Sequence, residues 1–128
     1  ILSIDYGLNL VNAGNITNNG NINIHNILDN ALFGLSNSGI IHNNSLGVIS
    51  IMNSGIRSFS NNSTGILTNN GTLTIDSNVI NGSSTGFYNL GTATNTGGVT
   101  VKNITGHHIL ITPGSNFTNL ATGILSIE

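Results

Sequence analysis

Side chains that could perform acid–base chemistry are scarce in this sequence, and three of them are regularly spaced. The 128 residues include two Lys or Arg, four Asp or Glu and four His. Asp76, Lys102 and Glu128 each follow an apolar residue directly, and the intervals from 76 to 102 and from 102 to 128 are equal. In a repeat structure with layers about 4.8 Å apart, the two carboxylates would lie about 9–10 Å from each other, near the limit for an inverting glycosidase. Because Lys102 between them would keep both ionised, we expect a surface ion-pair ladder of Asp76, Lys102 and Glu128 and no catalytic residues.

The four histidines do not form a metal-binding motif. His107 and His108 are adjacent, so their rings would point to opposite sides of an extended strand, and His42 takes an outward position in its repeat. Zinc sites need His, Cys, Asp or Glu side chains that converge, and the chain has no Cys. Four acidic residues are too few for a series of oxygen-rich calcium sites. We therefore expect no metal, no cofactor and no enzymatic activity.

The charge balance restricts the partners. The net charge is −2, and Arg57 and Lys102 cannot form the basic stripe that phosphates or anionic lipids require. No apolar run approaches the roughly 18 residues of a spanning helix, and the chain does not begin with the pattern of a signal peptide. The sequence thus argues against nucleic-acid binding and against membrane insertion of this segment.

A repeat with a period of roughly 20–27 residues organises the chain, as in solenoid proteins. The phrase Gly-x-Φ-x-Φ, in which Φ is apolar, occurs at 20–24, 47–51, 71–75, 97–101 and 123–127, and residues 1–4 carry a truncated copy. A second phrase, Φ-Thr-Asn, precedes it at 16–18, 67–69, 93–95 and 117–119, with a variant at 41–43. A third, Φ-x-Asn-x-Gly, occurs at 10–14, 35–39 and 87–91, with variants at 59–65 and 110–114. Three phrases in fixed order indicate an array of similar structural units.

Each phrase predicts one short strand that ends in a corner. Apolar and polar residues alternate, as in a half-buried strand, and Asn, Gly, Ser and Thr are weak helix formers. Three strands in each period predict one coil, so we interpret residues 1–128 as a single all-β segment, a right-handed parallel β-helix (β-solenoid) of about five coils. The alternation predicts four inward columns, which are Ile16, Ile41, Leu67, Ala93 and Phe117; Leu2, Ile22, Ile49, Leu73, Val99 and Leu125; Ile4, Ile24, Ile51, Ile75, Val101 and Ile127; and Leu10, Leu35, Phe59, Phe87 and Leu110.

Asparagine recurs at the predicted corners. The chain contains 24 Asn, and nine of them fall at equivalent positions of two phrases. These form two predicted structural columns, which are Asn12, Asn37, Asn61 and Asn89, and Asn18, Asn43, Asn69, Asn95 and Asn119. Stacked amides can hydrogen-bond along the axis. Asn and Gly also tolerate the left-handed backbone that a sharp corner requires.

The lengths of the coils differ chiefly in one arm, in segments 25–34, 52–58, 76–86 and 102–109. In solenoids, such irregular loops often form the contacting side. The aromatic residues available for a sugar-binding surface, Tyr6, Phe33 and Tyr88, are scattered along the sequence. An outward column that includes Thr68, Thr94 and Thr118 suggests ice binding, but the adjacent outward columns are mixed or irregular.

The phrases at 16–24 and 67–75, Ile-Thr-Asn-Asn-Gly-Asn-Ile-Asn-Ile and Leu-Thr-Asn-Asn-Gly-Thr-Leu-Thr-Ile, resemble the β-helical repeats of large secreted surface proteins of Gram-negative bacteria. Filamentous haemagglutinin-like adhesins and autotransporter passenger domains are of this type. The resemblance implies export to the cell surface or medium and a role in adhesion or cell contact.

These features favour a stiff structural spacer in a secreted bacterial fibre, adhesin or capture filament. The alternatives are a glycan- or surface-binding module that uses the variable arm and, less favoured, an ice-binding protein or a polysaccharide-active enzyme. Both ends fall in the same phase of the repeat, so we expect an interior window of a longer array. The expected partners are the neighbouring coils of the same polypeptide, further copies in an oligomer or fibre, and glycans of host, prey or environmental surfaces.

Overall fold

The computed structural model describes residues 1–5, 9–27, 32–54, 56–77 and 84–128. Within these ranges the chain forms sixteen strands and no helix. Sheet 1 contains β1 (Leu2–Asp5), β4 (Asn21–His25), β7 (Val48–Met52), β10 (Thr72–Asp76), β13 (Gly98–Lys102) and β16 (Ile124–Ile127). Sheet 2 contains β2 (Leu10–Asn12), β5 (Phe33–Asn37), β8 (Arg57–Asn61), β11 (Thr85–Asn89) and β14 (His107–Ile111). Sheet 3 contains β3 (Asn15–Asn18), β6 (Ile40–Asn43), β9 (Ile66–Asn69), β12 (Thr92–Asn95) and β15 (Asn116–Asn119).

The three sheets are parallel and stack as a β-solenoid. Each strand pairs with the strand three elements further along the chain, so one coil contributes one strand to every sheet. The pairs Leu10 with Leu35 and Ile16 with Ile41 illustrate the spacing of equivalent positions, which agrees with the period of the sequence repeat. The all-β fold, the three-stranded coil and its length are therefore confirmed.

The core is a set of apolar columns in register across the coils. In sheet 1, Ile49, Leu73 and Val99 follow one another in one column, and every member of the adjacent run Ile24, Ile51, Ile75 and Val101 has no exposed surface. Sheet 3 adds Ile41, Leu67 and Ala93, which are 1–2 % exposed. Leu2, Leu125 and Ile127 continue the columns of sheet 1 in its two outermost strands, where they are 38–55 % exposed.

The fourth predicted column is wrong at its last member. Phe87 pairs with Ile109, so Ile109 packs against the core and Leu110 takes the outward position beside Tyr88. The cause is the corner that follows, which spans 112–115 and is closed by a bond from the Ser115 N–H to the Thr112 carbonyl, 3.1 Å. The phrase Φ-x-Asn-x-Gly predicts a shorter corner, and this error shifts the predicted strand by one position. Such a shift exchanges the inward and outward faces.

Left-handed backbone occurs at fewer corners than the sequence predicts. Among the described residues, φ is positive only at Asn26, Asn53, Asn103 and Gly114, with values of 49–86°. The three asparagines follow the strands of sheet 1 and lead into the variable arm. The asparagines of the two predicted columns have ordinary backbone angles, so the expectation of left-handed geometry at those corners is wrong. Residues 28–31, 55 and 78–83 of the variable arm, and Tyr6, lie outside the described residues.

At several corners glycine is required because a Cβ atom would not fit, and not because the backbone angle excludes other residues. A Cβ atom built on Gly71 would collide with the carbonyl oxygens of Gly47 and Asn44 in the preceding coil. The Gly71 N–H and its neighbours bond to that coil, so the corner cannot move away without losing hydrogen bonds. The recurrent glycine of the first phrase thus allows successive coils to approach closely.

We expect Gly71→Ala to lower the free energy of unfolding by about 1–3 kcal/mol, because the added methyl group meets backbone atoms that cannot rotate away. Gly98→Ala is the matched control, since a Cβ at Gly98 meets nothing within 4 Å. It should leave stability unchanged or raise it by about 0.4–1 kcal/mol. Urea unfolding followed by circular dichroism measures both, and equal effects of the two substitutions would contradict the packing argument.

Candidate functional site

The first asparagine column is a continuous hydrogen-bonded ladder inside the corner between sheets 2 and 3. The Nδ2 atoms of Asn12, Asn37 and Asn61 each donate to the Oδ1 atom of the next asparagine, ending at Asn89, and all three distances are 2.8 Å. The side chains of Asn37, Asn61 and Asn89 are fully buried. Each amide therefore connects one coil to the next where water cannot compete.

The second column repeats this arrangement between sheets 3 and 1. Asn18, Asn43, Asn69 and Asn95 donate in turn to the Oδ1 atom of the following asparagine, ending at Asn119, over 2.7–2.8 Å. The same Nδ2 atoms also donate to backbone carbonyls of the following coil, for example from Asn43 to Thr72 over 3.1 Å. An amide both donates and accepts, whereas a carboxylate only accepts. This requirement explains why Asn and not Asp occupies the corners.

The register of sheet 2 explains how the first ladder ends. Ile111 stands opposite Asn89, in the position that Asn holds in earlier coils. The Nδ2 atom of Asn89 therefore donates to the Asn116 carbonyl, 2.9 Å away, and not to another side chain. The polarity of both ladders is uniform, because every bond between two asparagine side chains is donated toward the C-terminal coil.

The predicted charged row lies on the outer face of sheet 1. Asp76 and Lys102 are opposite each other in register, with Oδ2 and Nζ 3.5 Å apart. Both side chains remain about one-third exposed, so the pair contributes little to stability. The Oε1 atom of Glu128 accepts from the Ser126 hydroxyl, 2.9 Å away. Within the described ranges, Asp76–Lys102 is the ion pair that forms. Asp76 also accepts from Nδ2 of Asn103, 2.8 Å away.

The histidines lie in three different sheets, with His107 and His108 adjacent on the last strand of sheet 2. His42 lies exposed on sheet 3, paired with Thr17 and Thr68. His25 pairs with Met52 on sheet 1, in the row that continues to Asp76 and Lys102. Nε2 of His108 lies 3.0 Å from the Glu128 carbonyl oxygen. In the part of the chain that the structure describes, no three His, Asp or Glu side chains are grouped as a metal site requires. The described elements also include no helix capable of crossing a bilayer.

A cluster of buried serines lies in the corner that leads from sheet 1 to sheet 2. Ser54, Ser58 and Ser77 have no exposed surface, and Ser58 and Ser77 both donate to the Ser54 carbonyl, over 3.3 and 2.9 Å. The Ser54 hydroxyl has no hydrogen-bond partner among the described residues. Gly34 packs closely against this hydroxyl, since a Cβ atom at Gly34 would lie only 2.7 Å from Ser54 Oγ. The serine hydroxyls therefore cannot reach a substrate in solution.

The outer face of sheet 2 carries a cluster whose two aromatic residues, Phe33 and Tyr88, the sequence indicates as outward, but whose contact with Arg57 it does not reveal. The guanidinium carbon of Arg57 lies 4.0 Å from the centroid of the Tyr88 ring and 5.9 Å from that of Phe33. Phe33 and Arg57 are direct cross-strand neighbours, whereas Tyr88 lies one coil further on and three positions along the strand direction. All three side chains are half-buried. We call this group the arginine–aromatic cluster.

A network of polar side chains adjoins the arginine–aromatic cluster. Asn62 accepts from the Ser60 hydroxyl over 3.0 Å and donates to the hydroxyls of Ser36 and Ser38 over 3.1 and 2.8 Å. Ser36 and Ser60 lie in the same outward row as Tyr88. Ser60 is fully buried, and its hydroxyl holds the Asn62 side chain against the sheet through their hydrogen bond. The cluster and this network together form a strip roughly 10 Å long, since each position along a strand adds about 3.3 Å.

No protein-family model matches the chain, and neither a curated protein nor a solved structure shows significant similarity to it. The class of the protein is therefore defined by its geometry. It is a parallel β-solenoid with three strands per coil, and two internal amide ladders connect its coils. In this class the coils of one chain are each other's principal packing partners, as the register of the three sheets shows.

Proposed function

We propose that this β-solenoid is a stiff spacer in a secreted bacterial surface fibre, adhesin or capture filament. The observation that carries the proposal is the pair of amide ladders, which join coil to coil at two of the three corners in addition to the sheet hydrogen bonds. Bending the stack would break buried hydrogen bonds, and each buried group left unpaired costs about 1–3 kcal/mol. A scaffold of this kind transmits position over a distance without a hinge.

The composition of the outer surface supports an extracellular role. Among the described residues, Asn, Ser and Thr form the largest exposed group, beside a dozen exposed Ile, Leu and Val. Only six of the 128 residues are Lys, Arg, Asp or Glu. The absence of Cys makes folding independent of the redox state of the compartment. The likeness of the repeat phrases to secreted Gram-negative surface proteins points in the same direction.

Stiffness can be tested with two spin labels attached to introduced cysteines, since the chain has no Cys of its own. Asn19 and Leu120 are exposed and lie in the same corner, four coils apart. At about 4.8 Å per coil, the variant N19C/L120C should give a narrow distance distribution centred at about 19 Å for the backbone positions. Deletion of residues 44–69, which removes one full coil, should shorten the distance between the two positions by about 4.8 Å.

A broad distribution, or one that the deletion leaves unchanged, would contradict the spacer proposal. Location is tested separately with N70C, because Asn70 is exposed. A membrane-impermeant maleimide applied to intact cells that produce the protein should label this cysteine. Labelling only after lysis would contradict the extracellular part of the proposal while leaving the stiffness result intact.

A further inference from the structure

Arg57 carries a positive charge that no described acidic side chain neutralises. The described ion pair uses the other strong base, Lys102, with Asp76. Arg57 instead stacks on Tyr88 at 4.0 Å, with Phe33 at 5.9 Å, and its guanidinium donates no hydrogen bond to a described residue. A guanidinium that stacks on a ring through its face keeps the N–H groups of its edge available. The stacking therefore holds in place a planar donor suited to a carboxylate.

The surroundings of Arg57 favour a sugar that carries this carboxylate. Phe33 is partly exposed and offers apolar surface for the C–H face of a sugar ring, and Tyr88 adds the part of its ring that the Arg57 guanidinium leaves uncovered. Asn62 uses its amide hydrogens on Ser36 and Ser38, and its Oδ1 atom, which accepts one bond from Ser60, has capacity to accept another from a sugar hydroxyl. The rest of the surface is too weakly charged to attract polyanions in general.

We propose that the arginine–aromatic cluster, together with Asn62, is a binding site for a uronic-acid residue of an acidic polysaccharide. Arg57 pairs with the sugar carboxylate, Phe33 and Tyr88 contact the ring, and the Asn62 Oδ1 atom accepts a hydrogen bond from a sugar hydroxyl. The site depends on the geometry of sheet 2 and not on the spacer role, so either proposal can fail alone.

The direct test uses the unaltered protein, because Arg57 is its single arginine and the side-chain Nε–H signal in a 15N–1H spectrum is assigned without ambiguity. Titration with tetragalacturonate should shift this signal with saturation. The methyl ester of the same tetrasaccharide should bind at least tenfold more weakly, because it lacks the charged carboxylates. Sodium acetate at equal carboxylate concentration should produce a much smaller shift, since it lacks the sugar ring.

Variants separate the site from general electrostatics. R57Q should weaken tetragalacturonate binding at least tenfold, and R57K should recover only part of it because Lys lacks the planar donor edge. K102Q removes the same unit of charge elsewhere on the surface and should change binding less than twofold. Circular dichroism and the unfolding midpoint verify that each variant is folded.

The proposal is wrong if the Arg57 signal does not move, if acetate moves it as far as the oligosaccharide does, or if K102Q weakens binding as much as R57Q. Should R57Q fail to fold, the titration of the unaltered protein still decides the question.

Discussion

Replacing Asn43 by Asp should lower the free energy of unfolding by about 3–5 kcal/mol at pH 7. Asn43 is fully buried in the middle of the second ladder. Its Nδ2 atom donates to Asn69 Oδ1 and to the Thr72 carbonyl, 2.7 and 3.1 Å away, and its Oδ1 atom accepts from Asn18 over 2.8 Å. A carboxylate keeps the bond from Asn18 but turns a second acceptor toward three oxygens, since the Gly47 carbonyl also lies 3.2 Å from Nδ2, and no water screens the repulsion.

The effect of Asn43→Asp should diminish in acid. At pH 3 a larger share of the new carboxyl groups is protonated, and a protonated carboxyl donates one hydrogen bond that the carboxylate cannot. The difference between variant and unaltered protein should therefore be smaller at pH 3 than at pH 7. Urea midpoints by circular dichroism at both pH values measure it.

The matched control for the ladder is Asn70→Asp, one position beyond the ladder at the same corner. Asn70 is exposed, and its Oδ1 atom only accepts, from the Thr96 hydroxyl at 2.6 Å. A carboxylate preserves this bond, so the change should stay within about 0.5 kcal/mol. Similar losses from Asn43→Asp and Asn70→Asp would show that the ladder has no special energetic role.

The repeat phrases predict the fold well because each corner in sheet 3 and sheet 1 is fixed by an adjacent marker. Ile24, Ile51 and Ile75 each stand four positions after a corner glycine and directly after an outward Asn, Ser or Thr, so their inward orientation follows from alternation alone. The last strand of sheet 2 lacks such a marker. Its corner carries Pro113 and Gly114 in place of the Asn-x-Gly phrase, and only the hydrogen bond from Ser115 to Thr112 reveals the longer turn. The sequence alone therefore predicts Leu110 as the inward residue of this strand, whereas Ile109 packs against the core in the structure.

The arginine–aromatic cluster could not be predicted for a different reason. Phe33, Arg57 and Tyr88 lie in three different coils, in which the segments of the variable arm differ in length. Alternation assigns a face within one strand but does not give the offset between strands that unequal loops introduce. Tyr88 is also not the direct partner of Arg57, which pairs with Thr85. The long side chain of Arg57 covers the remaining distance, and a sequence pattern does not record such diagonal contacts.

Phe87→Ala should lower the free energy of unfolding by about 3–5 kcal/mol, because it removes the ring that joins two sheets of the core. Phe87 has no exposed surface, and its ring centroid lies 5.0 Å from that of Phe59 in sheet 2 and 5.9 Å from that of Phe117 in sheet 3. Both neighbours would lose an aromatic contact, and the residual cavity would be enclosed by rigid parallel sheets that cannot collapse into it.

A substitution at Ala93 tests whether Phe87→Ala lowers the free energy of unfolding because side-chain volume is lost from the core. Ala93 is the smallest member of its column, between Leu67 and Phe117, in the same coil as Phe87. We infer that the large Phe87 and the small Ala93 compensate each other. Ala93→Leu alone should then cost about 1–3 kcal/mol through overpacking. The double variant F87A/A93L should be less destabilised than the sum of the single variants by about 0.5–3 kcal/mol.

Val11→Ala is the control for the cavity, since Val11 is 63 % exposed and its truncation should stay within about 0.5 kcal/mol. The four proteins of the cycle are compared by urea unfolding under identical conditions. Additive losses in the cycle would mean that Phe87 and Ala93 do not share a cavity. The high cost of Phe87→Ala would then derive from the contacts with Phe59 and Phe117 alone, and a Phe117→Leu variant should couple to it in place of Ala93→Leu.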